Sequence, residues 1–135
     1  MGLKTMSTIR GASATITVAG GSALVFAEDG VTVPNGLHLM VPGDSDYQTR
    51  RQCTVKYRPP TLDPKTGVYG KDKKGVTLVF PMSLSDGRVV FNTLRLEREV
   101  HPSFEPEQAA DLLRVGAQIL WGTDAADFWA NGSLS

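Results

Sequence analysis

The sequence predicts an α+β fold: an antiparallel β-sheet of about six strands, an N-terminal hairpin plus a meander, followed by two C-terminal α-helices. Three observations predict it. Between residues 47 and 100, apolar and polar residues alternate with period two, the repeat of strands that bury one face only. Clusters of Gly, Pro, Asn, Asp and Ser punctuate these runs at hairpin spacing. From Ser103 onward the apolar period lengthens to that of a helix and stays there. Strands first and helices afterwards mean segregated layers.

Residues 11–27 read ASATITV, then Gly20-Gly21-Ser22, then ALVFA, a β-hairpin whose Gly-Gly turn supplies the positive φ that tight turns need. Glu28-Asp29-Gly30 makes a second turn and Val31-Thr32-Val33 a short extended piece. Pro34-Asn35-Gly36 interrupts, Leu37–Val41 forms the next strand, and Pro42-Gly43-Asp44-Ser45 turns the chain again.

The central strand is Tyr47–Arg58, YQTRRQCTVKYR. Cys53, Val55 and Tyr57 fall on one side; Arg50, Gln52, Thr54, Lys56 and Arg58 fall on the other. One face is apolar and the opposite one is cationic and hydrogen-bonding. Pro59-Pro60 ends the strand, since proline cannot donate to a ladder. Residues 59–74, PPTLDPKTGVYGKDKK, then read as one long, mobile, exposed loop. Its fragment Gly67-Val68-Tyr69-Gly70-Lys71 lacks the spacing and the following Ser or Thr of a phosphate-binding loop.

Val76, Leu78, Phe80 and Met82 make the apolar stripe of the next strand, with Thr77 and Val79 turned away. After a hairpin turn at Ser85-Asp86-Gly87, the last strand directs Leu94, Leu96 and Val100 inward. Thr93, Arg95, Glu97 and Glu99 point outward, as in an antiparallel sheet with one solvated face. In the first helix Ala109, Leu112, Leu113, Gly116, Ile119 and Leu120 recur at helical spacing, with Pro106 in the opening turn where a missing N–H costs little. Gly122 ends it. Thr123 is placed to cap a second, short helix carrying Ala126, Phe128 and Trp129, which stops near Gly132.

The chain thus reads as a single domain over 1–135, with a hairpin region at 1–34, the main sheet at 36–101 and the helices at 103–132. Its 135 residues suffice for one core. Fourteen basic residues balance fourteen acidic ones, which argues against nucleic-acid binding through bulk charge alone and leaves a local basic face open. The single Cys53 has no disulfide partner and sits on the apolar side of a strand, as in a reducing compartment. No signal-type h-region opens the sequence, and no run reaches the roughly 18 apolar residues of a membrane helix. Asn131-Gly132-Ser133 reads as a helix-ending turn rather than a glycosylation site.

No catalytic constellation is visible. His38 and His101 lack ligand-spaced partners, Glu105 and Glu107 suit a helix start through its dipole, and Asp44 and Asp46 occupy a turn. No cofactor or metal site is expected.

Gln52-Cys53-Thr54-Val55-Lys56 resembles the central-strand motif, polar-Cys-Ser/Thr-Val-basic, of the coat proteins of single-stranded RNA bacteriophages (leviviruses). Gly75-Val76-Thr77-Leu78 and Leu94-Arg95-Leu96-Glu97 fall where that family's next long strand and last strand fall. The similarity extends over nearly the whole chain, most strongly from about 36 to 130, and its specificity lies in the order and spacing of weak motifs. It implies an intertwined homodimer in which the helices of one subunit pack across the sheet of the other, with Leu112, Leu113, Leu120, Trp121, Phe128 and Trp129 at the interface. It implies an icosahedral shell, formed in the bacterial cytoplasm and found in the virion, with the polar sheet face turned inward toward single-stranded viral RNA. The same face binds an RNA stem-loop as a translational repressor in that family. Carried over by position, the contacts are Arg50, Gln52, Thr54, Lys56, Arg58, Thr77, Thr93 and Arg95, of which Lys and Arg suit phosphates while Gln and Thr suit bases and sugar hydroxyls. Val79 stands where a basic residue is typical, Thr93 where an aromatic one stacks, and the Ser85–Gly87 turn is shorter than its counterpart at the family's symmetry axes. A different class, a free dimeric module for RNA or other single-stranded nucleic acid, normally carries aromatic platforms on its face. Only Phe91 offers one here, and particle formation separates the two readings.

Overall fold

The computed structural model describes residues 3–7 and 23–134, in two compact units. One holds the sheet, within 22–103. The other holds the C-terminal helices from Phe104 and the N-terminal segment, where Leu3–Thr5 forms a 3₁₀ turn.

Five strands build the sheet in chain order: β1 (Ala27–Glu28), β2 (Gly36–Met40), β3 (Gln52–Arg58), β4 (Asp72–Ser83) and β5 (Val89–Val100). Every neighbouring pair is antiparallel, so the meander is confirmed. The sixth strand was expected from the hairpin at 11–27, most of which lies outside the described residues. The described part differs from expectation in one place: Glu28 belongs to a two-residue strand against Leu39, not to a turn. Beyond it, the Asp29 carboxylate accepts the Val31 N–H at 3.0 Å, which keeps that group out of a ladder.

Strand registers confirm the division into two faces. Leu39, Cys53, Leu78 and Leu94 stand side by side across four strands, with Leu37, Val55, Val76 and Leu96 as the next row. Cys53, Val41 and Val100 are buried, and burial pushes the Cys53 thiol pKa up, which disfavours the reactive thiolate. Leu37, Phe80, Met82, Leu94 and Leu96 remain exposed on the same face. Gly36 is required where it stands, because any side chain there would run into the Val55 carbonyl oxygen.

Three boundaries move. The central strand begins at Gln52 rather than Tyr47, because Asp46 accepts the Gln48 N–H at 2.9 Å and Asp44 accepts the Arg51 N–H at 3.0 Å. Tyr47–Thr49 is consequently a turn. The loop after β3 closes at 71 rather than 74: Asp72, Lys73 and Lys74 are strand residues opposite Val100, Glu99 and Arg98. Thr123 opens a 3₁₀ turn, Thr123–Ala125, and makes no side-chain cap.

Arg51 and Asp44 pin the β2–β3 connection with a two-pronged pair, Nε to Oδ2 at 2.9 Å and Nη2 to Oδ1 at 3.0 Å. The Arg51 side chain, then its backbone N–H, hold the Asp44 carboxyl at about 2, against an ordinary value of 3.8. A depressed carboxylate stabilises the fold above its unfolded pKa, and that contribution is lost as pH falls through the folded value. Asp44→Asn is therefore expected to lower the melting temperature by a few degrees at neutral pH. The gap from wild type should close between about pH 4 and pH 2; a gap that stays constant across melting curves in that window would show that this pair does not set the acid limb.

In the helical unit, α1 (Pro106–Trp121) starts with proline where no N–H is needed and with Glu107 against the positive end of the dipole. The Gly122 N–H closes it on the Gln118 carbonyl. α2 (Ala126–Asn131) ends at Gly132, whose left-handed φ of 74° lets its N–H reach the Phe128 carbonyl at 2.8 Å, the expected helix-ending turn. The Trp129 indole N–H donates to the Ile119 carbonyl at 3.0 Å and ties the two helices together over the buried Ala125.

Candidate nucleic-acid interface

The polar face is an array of cross-strand rows fixed by register. His38, Thr54, Thr77 and Arg95 form one row across β2–β5, about 14 Å wide at the usual strand spacing. Met40, Gln52, Val79 and Thr93 form the row on one side of it; Gly36, Lys56, Gly75 and Glu97 form the row on the other. Arg58, Lys73 and Glu99 close that end of the array. Seven of the eight expected contact residues (Gln52, Thr54, Lys56, Arg58, Thr77, Thr93 and Arg95) thus share one surface.

Arg50 does not join them on a strand. It precedes β3, its Nε donates to the Asp44 carbonyl at 3.0 Å, and its guanidinium lies 4.5 Å from the centre of the Tyr47 ring. Those contacts account for it as part of the β2–β3 connection.

Cations on this face differ in how they are compensated. Lys73 pairs with Glu99 at 3.1 Å, and that ammonium, through hydrogen bond and charge, holds the Glu99 carboxyl below its ordinary value. Lys56, Arg58 and Arg95 make no ion pair among the described residues. Lys56 also has glycine beside it on both neighbouring strands, so no adjacent side chain in its row covers it. An exposed ammonium without an ion-pair partner has the chemistry to take a phosphate.

Sequence reasoning missed two features. The first is the set of His38 contacts: its Nδ1–H donates to the Asp29 carboxylate, and its Nε2 lies 3.3 Å from Gln52 Oε1. The Val31 N–H, followed by His38, keeps the Asp29 carboxyl below its ordinary value. The Gln52 side chain thus has the His38 ring as its neighbour on the β2 side. Lys73 was assigned to a loop, although its alternation with Arg58 and Glu99 appears once the register is known. Phe91, the aromatic residue that the sequence places on this face, lies next to Thr93 and is 67% exposed, so it borders the array.

The six residues expected at a dimer interface fall in the helical unit. Leu112, Leu113, Trp121 and Trp129 are exposed in the single chain, and Leu120 and Phe128 are half-buried. The Phe128 and Trp129 rings meet edge to face at 5.2 Å. Among the described residues, no three His, Cys, Asp or Glu side chains gather as a metal site, and no helix is long and apolar enough to cross a membrane.

No family model matches the sequence, and no curated protein does either. Solved structures do. The chain is similar to that of the virus-like particle of bacteriophage GQ-907, with 41% identity and a TM-score of 0.89 over 98% of this chain and 99% of that one. It is also similar to the chain of the virus-like particle of Wenzhou levi-like virus 4, at 16% identity and a TM-score of 0.64 over 90% and 83% of the two chains. The virus-like particle of bacteriophage AVE019 gives 9% identity and a TM-score of 0.63 over 82% and 86%. The last two likenesses speak for the fold alone. The first carries sequence as well, from end to end.

Proposed function

The chain belongs to the coat-protein family of the levi-like bacteriophages, and from that premise we propose that it is a non-enzymatic shell subunit that packages single-stranded RNA. The observation that carries the proposal is the full-length 41% identity to a protein whose solved form is a virus-like particle. In this reading two chains interlock through their helices, dimers close into an icosahedral shell, and the polar sheet face turns toward the RNA. The shell is built in the bacterial cytoplasm and forms the virion.

Chemistry on the face supports the inward orientation. Lys56, Arg58 and Arg95 supply uncompensated charge for phosphates, while Gln52, Thr54, Thr77 and Thr93 offer hydrogen-bonding groups for bases and 2′-hydroxyls. Phe91 adds a stacking surface at the edge of the array. Binding of a stem-loop as a translational repressor belongs to the same proposal, with Gln52, beside the His38 ring, among its polar groups.

Expression of the chain alone in bacteria, followed by size-exclusion chromatography and electron microscopy, tests this. The expected result is uniform round particles in the void volume whose nucleic-acid absorbance survives nuclease. Empty particles would remove the packaging role. A clean small dimer would leave a free RNA-binding module in place of a shell.

A further inference from the structure

The sequence predicts one mobile loop over 59–74; 72–74 belong to β4, and 59–71 form a folded loop. The Gly70 N–H donates to the Thr61 carbonyl at 2.8 Å and the Asp63 N–H to the Val68 carbonyl at 2.9 Å, with Leu62 and Tyr69 bridged between them. At the tip, the Gly67 N–H reaches the Asp63 carbonyl at 2.8 Å through a φ of 71°, and Asp63 Oδ1 accepts the Lys65 N–H at 2.9 Å. Pro59-Pro60 stiffens one root and β4 anchors the other. The result is a small hairpin standing off the end of the sheet.

Its side chains are not those of a solvated loop. Leu62, Val68 and Tyr69 are 51%, 55% and 52% exposed, and the two arms line an open recess of about 330 Å³. An ordered backbone that holds three large apolar groups in water is a surface awaiting a partner. Resting on the shell reading, we infer that this hairpin is a contact between dimers and that its occupant is a second copy of the same chain.

The choice of occupant follows from what a shell requires. A two-fold dimer uses one self-complementary surface, and joining dimers into a closed particle requires at least one other. The β4–β5 turn is poorly equipped for that task. Its five residues close on themselves, with the Leu84 N–H on the Arg88 carbonyl at 2.7 Å and Arg88 Nε on Asp86 Oδ2 at 2.7 Å, and it exposes no large apolar group. The 59–71 hairpin has what that turn lacks: reach, a preset backbone and apolar surface. Preorganisation matters because many weak, identical contacts must form without a large ordering cost.

The test compares wild type with Val68→Asp/Tyr69→Ser. The variant is expected to keep its dimer and its melting temperature, since both side chains are exposed, while its particle yield falls at least tenfold. A second measurement covers the case of a poorly folding variant: a thiol introduced by Val68→Cys should react with a small maleimide at least tenfold more slowly in particles than in dissociated dimers. Normal particle yield, equal labelling in both states, or loss of the dimer itself in a folded variant would overturn the hairpin assignment alone. Wild-type chains that never exceed the dimer would overturn the shell reading, and this inference with it.

Discussion

Replacing Lys56 and Arg58 with alanine together is expected to weaken RNA binding roughly 10- to 30-fold at 0.1 M salt and to lower the slope of log K against log salt by about 1.4. The figure follows from counterion release, at about 0.7 per neutralised phosphate on a single strand. Both side chains stand on the polar face, are exposed, and make no ion pair among the described residues. Removing them therefore leaves no buried partner unsatisfied, and the dimer and fold should be unaffected. Particles of the double variant should carry less RNA. Lys65→Ala provides the control: it removes a charge from the loop tip, away from the array, and should leave the slope unchanged. Filter binding across a salt series decides the matter. Equal slopes for wild type and the double variant would remove these two residues from the interface, whatever the particles contain.

The two faces of the sheet are legible in the sequence because the strand repeat has period two and one side is apolar throughout. Cys53, Val55, Val76, Leu78, Leu94 and Leu96 could be assigned to one side before any pairing was known. The rows could not. Which residue of β4 stands beside Thr54 depends on register, which is set by turn geometry and cross-strand packing rather than by alternation. For that reason the bare surroundings of Lys56, between Gly36 and Gly75, were invisible. So was the alignment of His38 with Thr54.

Ends of elements were less legible still. Arg50 shares the parity of Gln52 and Thr54, yet parity does not say where a ladder begins. Asp44 and Asp46 settle that by taking backbone N–H groups into the turn, a local competition that propensity ranks only loosely. The opposite error occurred at Asp72–Lys74. Three charged residues look like loop, but at the end of a long antiparallel pair they face Val100, Glu99 and Arg98 and gain both ladder bonds and the Lys73–Glu99 pair. The hairpin at 61–70 was misjudged for a related reason: Pro, Gly and Lys suggest mobility, although the same Asp and Gly are what a tight turn requires.

Trp121→Ala is expected to have the larger effect on assembly, and its logic runs through exposure. Trp121 is 67% exposed in the single chain, so truncation costs the isolated helical unit little. Burying that surface against a partner is worth about 3 kcal/mol per copy. A two-fold interface loses the contact twice, so even half-realised burial predicts a dimer roughly 100-fold weaker. Trp129 is the less informative target, because its indole N–H holds the Ile119 carbonyl and its ring packs on Phe128. Truncating it disturbs the chain's own helices along with any interface. Analytical ultracentrifugation of Trp121→Ala at low micromolar concentration, with circular dichroism to confirm helix content, separates the two contributions. A helical protein that dissociates places Trp121 in the interlock between subunits. A dimer of unchanged affinity would mean that the helices associate through another surface, and Leu112 and Leu113, also exposed, would be the next residues to truncate.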